Sequence, residues 1–398
     1  VSNGRTDTEN YSVVAEFRKK FANDARLRLG YTYEKFRLRV RDYPFAFLHN
    51  AGTDIDLERD THALHASGRL PILPIWELVA TGGFKEDRLD FERNNPRRDG
   101  QAILHFDLGT ELRPLDPLIL SAGVHLEDDS FSGFDASPRA GAVFRPLDNH
   151  SLRASYGIGR RKPSFTETQL AFVVPNPLPP PATLPLFTGN PDINRETLIA
   201  YEGGYRGVFE ELGLLLDFQV FFHDLQDRIV FAPDPASPVP GALTFANQGK
   251  ERVFGAELAA EWRVHGPLSL YSTYTYQDAQ DTVGNTILRD RPRHKVNTGL
   301  RLRFEEGILE GTSAFLNLNY VSRIEQLDGT GTVNTFGDHF RVDFRLARSF
   351  LDDRVEVSLI GRNIFDNKTV EFQPFVGSNA AGAFGAERAF FINLALKL

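Results

Sequence analysis

The stretch "HKVNTGLRLRF", residues 294–304, alternates without interruption between two kinds of side chain. Val296, Leu300 and Phe304 fall on one side of an extended chain, and the cations fall on the other. Successive side chains of a β-strand point to opposite faces, so this period of two predicts a strand with one apolar and one charged face. Such a strand fits a sheet packed on a soluble core, or a barrel wall between lipid and water.

The same alternation recurs along the chain, and helical periodicity is convincing nowhere. The clearest further segments are 214–222, 254–264, 268–276, 340–350 and 390–398. Each matches the pattern of a strand with one apolar face. The sequence therefore predicts an all-β protein.

Composition removes several functional classes. The chain has 398 residues with no Cys, which excludes disulfides, thiolate metal sites and thiol catalysis. The net charge of −8 argues against a general nucleic-acid binder, so no nucleic-acid partner is expected. Met is also absent, so we expect the sequence to begin inside a longer precursor. No apolar run approaches the roughly 18 residues of a membrane-spanning helix, and a barrel wall would leave no such run.

The connections between the predicted strands alternate in length, with eight short and eight long. Short turns are predicted near 23–24, 71–74, 114–117, 146–149, 210–213, 266–267, 305–310 and 352–353. Long loops are predicted over 41–58, 88–100, 127–137, 160–196, 231–246, 278–293, 322–338 and 370–386. Sixteen connections join seventeen strands. Sorting by loop length is typical of an antiparallel transmembrane β-barrel with short periplasmic turns and long extracellular loops. A soluble all-β protein is the less favoured alternative.

The predicted strand directions suggest that part of the barrel is missing. The first and last of the seventeen strands both run toward the short-turn side, and two such strands cannot close an antiparallel sheet. Single-chain bacterial barrels also have an even number of strands. We therefore expect further strands before residue 1.

Six segments carry a family resemblance. They are "SPRAGAVFRP" (137–146), "LRASYGIGRRKPSFTET" (152–168), "GNPDINRETLIAYEGGYRG" (189–207), "NQGKERVFGAELAAEWR" (247–263), "RPRHKVNTGL" (291–300) and "GRNIFDN" (361–367). In this order they resemble the C-terminal part of the barrel of TonB-dependent outer-membrane receptors. The resemblance is clear from about residue 118 to 398 and thinner before that.

The resemblance implies a 22-stranded barrel around a plug, of which 1–398 would be a partial barrel domain with about 17 strands and no plug domain. It implies an outer-membrane receptor for TonB-dependent uptake of a scarce bulky nutrient such as a ferric siderophore, haem or a cobalamin. The implied partners are outer-membrane lipid, the TonB complex through the missing plug domain, and a small-molecule metal chelate. A passive pore without a plug, or a barrel fragment without transport, remains the alternative.

Candidate ligand-binding residues lie in the 160–196 loop and on the charged face of the opening segment. They are Arg160, Arg161, Phe172, Phe187, Arg301 and Arg303. The loop residues could cap an anionic chelate, or they could belong to an ordinary surface loop. The two strand arginines could guide an anion, although a solvated wall with paired charges is the favoured interpretation.

The residues of the family motifs are interpreted as architectural rather than ligand-binding. They are Asn190, Pro191, Asn247, Gly249, Gly255, Glu257, Asn363, Phe365 and Asp366. Glycine in a strand permits close packing, and Asn and Asp favour local backbone hydrogen bonds.

No enzymatic activity, metal site or cofactor is expected. Sequence motifs of hydrolases, zinc proteases and phosphate-binding loops are absent. His105 and His125 would fall on neighbouring strands, so a haem or metal site there is conceivable, but polar wall residues are the favoured interpretation. A Ser/His/Asp site assembled from distant strands is the remote alternative, since such sites are recognised by geometry.

Overall fold

The computed structural model describes most of the chain. The described residues are 5–43, 53–91, 100–169, 171–175, 183–237, 239, 241–327, 333–368, 370–371, 383–384 and 387–397. Parts of several predicted long loops, such as residues 44–52, 92–99 and 372–382, lie outside these ranges.

Strands dominate the described residues. The first twelve are β1 (Arg5–Lys20), β2 (Arg26–Tyr43), β3 (Thr53–Leu73), β4 (Trp76–Phe91), β5 (Gly100–Leu115), β6 (Leu118–Asp129), β7 (Gly133–Leu147), β8 (His150–Arg161), β9 (Ala171–Pro175), β10 (Thr183–Thr188), β11 (Glu196–Phe209) and β12 (Leu214–Pro233). The second twelve are β13 (Leu243–His265), β14 (Leu268–Asp281), β15 (Thr286–Leu288), β16 (His294–Arg303), β17 (Thr312–Val321), β18 (Ile324–Leu327), β19 (Val333–Phe336), β20 (His339–Phe350), β21 (Val355–Arg362), β22 (Val370–Glu371), β23 (Ala383–Phe384) and β24 (Ala389–Leu396). One α-helix, α1 (Phe165–Thr168), and two 3-10 turns, Glu210–Leu212 and Gly307–Leu309, complete the regular structure.

The opening segment forms β16 and has the predicted two faces. On the apolar face, Leu300 lies between Leu270 of β14 and Leu316 of β17. On the polar face, Arg301 lies between Ser269 and Phe315 of the same two strands. Directly opposed side chains on one face of a sheet are near neighbours. Each face of β16 therefore continues into the corresponding faces of β14 and β17. The strand predicted from residues 294–304 is confirmed.

Seventeen of the described strands have eight or more residues, as predicted. The seven shorter strands lie within the connections between the long ones. Long strands that follow each other along the chain pair antiparallel in the described registers, for example β2 with β3 and β20 with β21. A parallel pairing joins β10 to β13. The predicted all-β antiparallel architecture is therefore confirmed.

The predicted long loop over 127–137 is wrong. Strand β6 continues to Asp129 and β7 begins at Gly133, so only residues 130–132 connect them. The tight connection is held by hydrogen bonds. The Phe131 N–H donates to Oδ1 of Asp129 at 2.7 Å, and the Ser130 N–H donates to the Ala102 carbonyl at 2.9 Å. Residues 127–129 and 133–137, which the sequence predicted to lie in a loop, thus belong to β6 and β7.

The chain divides into two compact units. Unit 1 comprises Val1–Val143, Ser155–Tyr201 and His223–Glu251, and unit 2 comprises Phe144–Ala154, Glu202–Phe222 and Arg252–Leu398. Within unit 1, β1 to β6 pair in chain order. Within unit 2, β14, β16, β17, β20, β21 and β24 pair in chain order.

Large apolar side chains are widely exposed on the strands, and the buried core of unit 1 is small. Leu64 and Leu104 are both 57% exposed, and their neighbour Phe84 is 41% exposed. A cluster of buried apolar side chains is formed by Ile193, Ile229 and Phe245. Contiguous exposed apolar surface of this kind is typical of a membrane or protein interface. None of the helices in the described ranges is long and apolar enough to cross a membrane.

Candidate functional site

Opposite charges meet in unit 1 where several strands reach their long connections. We call this set the arginine–carboxylate cluster. Its members are Glu127, Asp129, Asp135, Arg160, Arg161, Lys162, Glu167, Arg195 and Glu196. Two of these residues, Arg160 and Arg161, are among the ligand-binding residues predicted from the sequence.

Arg195 is the buried centre of the cluster, with its side chain 7% exposed. Its Nη1 lies 2.8 Å from Oε1 of Glu127 and 3.5 Å from Oδ2 of Asp135. Its Nη2 donates to the Gly133 carbonyl at 2.7 Å. A buried cation must be compensated by such partners, because the cost of removing it from water is several kcal/mol. Arg195 thus fixes the start of β11 to the end of β6 and the start of β7.

The same carboxylates also hold the end of β8. Arg160 Nε lies 2.9 Å from Oδ1 of Asp135. Lys162 Nζ lies 3.4 Å from Oδ2 of Asp129 and 3.8 Å from Oε2 of Glu127. The connection 162–195 is therefore tied at both of its ends to one group of carboxylates on β6 and β7.

Arg161 links the two ends of this connection to each other. Its Nε lies 2.6 Å from Oε2 of Glu196, and its two Nη atoms each lie 3.0 Å from an oxygen of Glu167. The other Glu196 oxygen accepts the Ile229 N–H at 2.7 Å. Bidentate pairing of this kind fixes direction as well as distance.

The helix α1 presents Glu167 to Arg161. Ser164 caps the helix: its Oγ accepts the Glu167 N–H at 3.3 Å, and its own N–H donates to Oε2 of Glu167 at 2.7 Å. This reciprocal capping box explains why "PSFTET" forms one helical turn there. Burial raises the pKa of the Glu167 carboxyl, but hydrogen bonds from Arg161 and Ser164 outweigh it, and the pKa is lowered overall.

Two asparagines of the family motifs close the base of the same connection. The Asn247 Oδ1 accepts the Asn194 N–H at 2.7 Å, and the Asn247 Nδ2 donates to the carbonyls of Asn194 at 3.0 Å and Asp227 at 2.7 Å. Asn190 donates to the Phe245 carbonyl at 3.0 Å and accepts the Asp192 N–H at 2.9 Å. Pro191 lies exposed between Asn190 and Asp192. The two asparagines thus hydrogen-bond to the backbone of four residues around the base of the connection.

The tip of the connection is a hairpin formed by β9 and β10. In its register Phe172 lies directly opposite Phe187. Strand β10 also pairs in parallel with β13, where Phe187 is matched with Leu243, and the Thr244 hydroxyl donates to the Thr188 carbonyl at 2.8 Å. The side chains of 171–175 and 183–187 lie outside the described part of the structure. The backbone nevertheless brings the two predicted phenylalanines together at the tip.

The other two predicted arginines lie at the end of a strand that leads into a short connection rather than a long one. Arg301 and Arg303 precede the short connection from β16 to β17, in unit 2. The Arg301 guanidinium carbon lies 4.9 Å from the Tyr271 ring centroid and 5.9 Å from that of Phe315. Arg303 is exposed, and its Nε lies 3.8 Å from Glu305. The six predicted ligand-binding residues thus form two groups, one by a long connection and one by a short turn.

The glycine motif of β13 allows close packing. A Cβ at Gly255 would collide with the Phe221 ring and lie 2.6 Å from the Tyr276 carbonyl oxygen, and one at Gly249 would lie 2.8 Å from the Arg228 Cβ. Glu257, two residues after Gly255, accepts a hydrogen bond of 3.4 Å from the Thr275 hydroxyl. Only glycine fits at such close approaches.

The motif "NIFDN" forms a local turn after β21. Asn363 and Asp366 both have left-handed backbones, with φ of 47° and 52°. Asn363 bonds the backbone of Asn367 in both directions, and Asp366 accepts the Arg388 N–H at 3.0 Å. Phe365 is 65% exposed. Asn and Asp tolerate this conformation better than other non-glycine residues.

The histidines of β5 and β6 are neighbours. The rings of His105 and His125 lie 6.2 Å apart, and His125 Nδ1 lies 2.8 Å from Oδ1 of Asp107. Within the described ranges, no group of three or more His, Asp or Glu side chains is arranged to hold a metal ion.

The arginine–carboxylate cluster acts as a frame. Each of its cations lies within 4 Å of a carboxylate of the same cluster, so their charges compensate each other. The frame holds the start and end of a long connection whose middle carries the β9–β10 hairpin. Such a frame gives the connection a rigid base.

Comparison with known proteins places this architecture in a family. The family model "TonB dependent receptor-like, beta-barrel" matches residues 1–364. No curated protein sequence matches the chain.

Solved structures share the fold. The siderophore receptor PirA from Acinetobacter baumannii has a TM-score of 0.80 at 15% identity, over 98% of this chain and 62% of PirA. A mutant of the ferric enterobactin receptor PfeA from Pseudomonas aeruginosa has a TM-score of 0.80 at 16% identity, with the same coverage. The FrpB iron transporter from Neisseria meningitidis has a TM-score of 0.74 at 12% identity, over 98% of this chain and 63% of FrpB.

The chain thus spans about three fifths of the length of these proteins. The family model covers 364 of 398 residues. The chain belongs to the TonB-dependent receptor family, as part of its outer-membrane β-barrel.

Proposed function

We propose that this chain is the barrel part of an outer-membrane receptor that takes up a scarce, bulky nutrient with energy from the TonB complex. The observation that carries the proposal is the family match over residues 1–364. A ferric siderophore is the favoured nutrient, since PirA and PfeA are named as siderophore and ferric enterobactin receptors. Haem and cobalamin are other nutrients of suitable size. The role is binding and transport rather than catalysis.

We further propose that the tip formed by β9 and β10 makes the first contact with the ligand. Phe172 and Phe187 would cover the apolar part of a metal chelate, because the register places them side by side. Arg160 and Arg161 would hold the base of the tip through Asp135, Glu167 and Glu196. In this proposal Arg301 and Arg303 add positive charge to the polar face along which an anionic chelate passes.

Residues 1–398 are proposed to form one partial barrel domain, with energy coupling supplied by a plug domain outside this sequence. The alternative is a passive pore without a plug. The polar face of β16 would suit either role, because lumens of transmembrane barrels are polar in any case.

Uptake of iron-55 chelates by a receptor-deficient bacterial strain tests the proposal. Cells producing the receptor should accumulate one class of ferric chelate above the empty-vector level, and deletion of tonB should abolish the difference. A passive pore would instead conduct ions in planar bilayers and give uptake that is unaffected by tonB. Uptake independent of tonB would therefore contradict the proposed function.

Variants of the tip test the site. The double variant Phe172→Ala and Phe187→Ala should weaken chelate binding by about tenfold, since buried aromatic contacts dominate such interfaces. Phe134→Ala is the matched control, because Phe134 is 70% exposed and lies at the start of β7 rather than in the tip. Equal losses in the two proteins would exclude the tip as the binding site.

A further inference from the structure

The apolar face of unit 1 contains a hollow that lies across β1 to β4. Its volume is about 640 Å³. Four large apolar side chains form its rim: Phe17, Leu29, Leu64 and Phe84. Between them, Ala66 lies directly opposite Gly82 in the register, so two neighbouring strands both present small residues there. The hollow is thus a space enclosed by bulky apolar groups.

The hollow opens on the apolar face because the other face of the same backbone is covered. On the polar face, a Cβ at Gly30 would collide with the His65 ring, and a Cβ at Gly83 would collide with the His105 ring. On the apolar face, Leu64 remains 57% exposed. Since the apolar face of an outer-membrane barrel contacts lipid, the hollow is accessible to lipid chains.

A cation without a carboxylate partner lies on the same face. Within the described ranges, seven cations lie on this face of β1 to β4, and six of them pair with Asp or Glu. The paired cations are Arg5, Lys35, Arg37, Arg39, Arg41 and Arg88. Lys19 is the seventh, and no carboxylate of the described chain lies within 4.0 Å of its Nζ. The charge of Lys19 is therefore available to an anion.

Lys19 lies where β1 approaches the short connection 21–25. Its Nζ is 5.1 Å from the centroid of the Phe21 ring, at the start of this connection. Lys19 follows Phe17 by two residues on the same face, so the two lie about 7 Å apart along the strand. Short connections of such barrels lie on the periplasmic side of the membrane. Lys19 is thus placed at the level of lipid head groups, beside the rim of the hollow.

We propose that Lys19 and the hollow form a binding site for one anionic phospholipid of the periplasmic leaflet. The ammonium binds the phosphate, because a lysine near the membrane surface keeps its charge among the head groups. One acyl chain extends past Phe17 and over Ala66. Other lipid tails are as apolar as the wall, so this chain is held by packing in the hollow rather than by transfer from water.

The charge of the head group follows from the lack of a carboxylate beside Lys19. A zwitterionic head group would bring a second cation close to the ammonium, whereas a net anionic one would not. The inference is independent of the proposed uptake, because lipid binding needs neither TonB nor an iron chelate.

Native mass spectrometry of the full chain in detergent micelles tests the site. With dioleoyl phosphatidylglycerol added, we expect saturable retention of one lipid by each chain. Dioleoyl phosphatidylcholine has the same tails and a zwitterionic head group, and it should be retained about fivefold more weakly.

Lys19→Gln should weaken retention of phosphatidylglycerol by about fivefold, the effect of one cation near a lipid surface. Lys20→Gln is the matched control. It removes the same charge one residue away, on the polar face, where Lys20 lies 2.6 Å from Asp24. We expect retention by this variant to equal that of the parent.

Ala66→Phe should fill the hollow and weaken retention by about tenfold, the value of roughly ten lost carbon contacts. Ala122→Phe is its control, since Ala122 lies on the apolar face of β6 outside the hollow. Both alanines are exposed, so neither change crowds the interior of the protein. Unchanged β-sheet circular dichroism shows that each variant is folded.

Four results would overturn the inference. The first is equal retention of the two lipids, and the second is an equal loss in Lys19→Gln and Lys20→Gln. The third is an equal effect of Ala66→Phe and Ala122→Phe, which would leave the hollow without a role. The fourth is a dimer of the parent that Ala66→Phe abolishes, which would assign the hollow to a second copy of the chain.

Discussion

The side chain of Asn247 pairs with the backbone of Asn194 in the way that one strand pairs with another, accepting its N–H at 2.7 Å and donating to its carbonyl at 3.0 Å. The two residues are 53 positions apart. A single amide therefore joins the entry to β11 to the strand β13, at the base of the long connection that carries the proposed ligand-binding tip.

Asn247→Ala should destabilise the protein by about 1–3 kcal/mol, because it removes three hydrogen bonds to backbone groups of Asn194 and Asp227, each contributing about 1 kcal/mol. Urea unfolding in lipid vesicles measures the loss. Asn149→Ala is the control, since Asn149 makes one exposed hydrogen bond to Glu210. Its effect should stay below about 0.5 kcal/mol. Equal effects of the two changes would contradict the role assigned to Asn247.

Arg195→Met should cost about 1–3 kcal/mol, since it removes the buried cation shared by Glu127 and Asp135 and leaves them with Lys162 at 3.8 Å and Arg160 at 2.9 Å, respectively. The same unfolding measurement checks it. Arg206→Met removes an arginine that is 54% exposed and 3.9 Å from Asp217, and it should cost less than about 1 kcal/mol. A small effect of Arg195→Met would show that water already reaches these carboxylates.

Because the pKa of Glu167 is lowered, we expect the stability of the base of the tip to depend on pH. A carboxyl whose pKa is lower in the folded state stabilises that state above its unfolded pKa of 4.5, and the contribution is lost as the pH falls through the folded value. Cleavage of the 162–195 connection by pepsin should therefore accelerate below pH 4.5. Glu167→Gln should be cleaved faster than the parent at pH 5, and the difference should narrow at lower pH. A difference that widens with acidification would refute this linkage.

Gly299→Ala should destabilise unit 2 by about 1–3 kcal/mol, the usual cost of overpacking. A Cβ there would collide with the Leu316 carbonyl oxygen and lie 2.6 Å from the Tyr271 hydroxyl oxygen, so both the backbone of β17 and the ring would have to move. Tyr271→Phe is a useful comparison, because it removes the hydrogen bond to Asn317 but keeps the ring. We expect it to cost about 1 kcal/mol. Full stability of Gly299→Ala would contradict this expectation, because neither the Leu316 backbone nor the Tyr271 ring would then resist the added methyl group.

The fold was predictable because the membrane imposes a simple pattern on each strand. Leu300 and Arg301 are adjacent in sequence and lie on opposite faces of β16, so the period of two is visible in the sequence of that strand. The pattern failed at Glu127 and Asp129. These residues lie on β6 but are paired with Arg195 and Lys162, so their polarity imitated a loop.

The candidate site was only partly predictable. Arg160 and Arg161 attracted attention as neighbouring cations, but nothing local indicated that Asp135 and Glu196 hold them. Arg195 was missed altogether, because its partner Glu127 lies 68 residues earlier. The spacing of residues along a strand is visible in a sequence, whereas the register between distant strands is not.

The arginine–carboxylate cluster also bears on how such a receptor can evolve. Both ends of the 162–195 connection are secured by Arg160, Arg195 and their carboxylates, none of which lies in the β9–β10 tip. Substitutions between 171 and 188 leave those contacts intact. The tip can therefore accumulate substitutions, which under the proposed function would change the ligand preference, without weakening the contacts that secure the two ends of the connection.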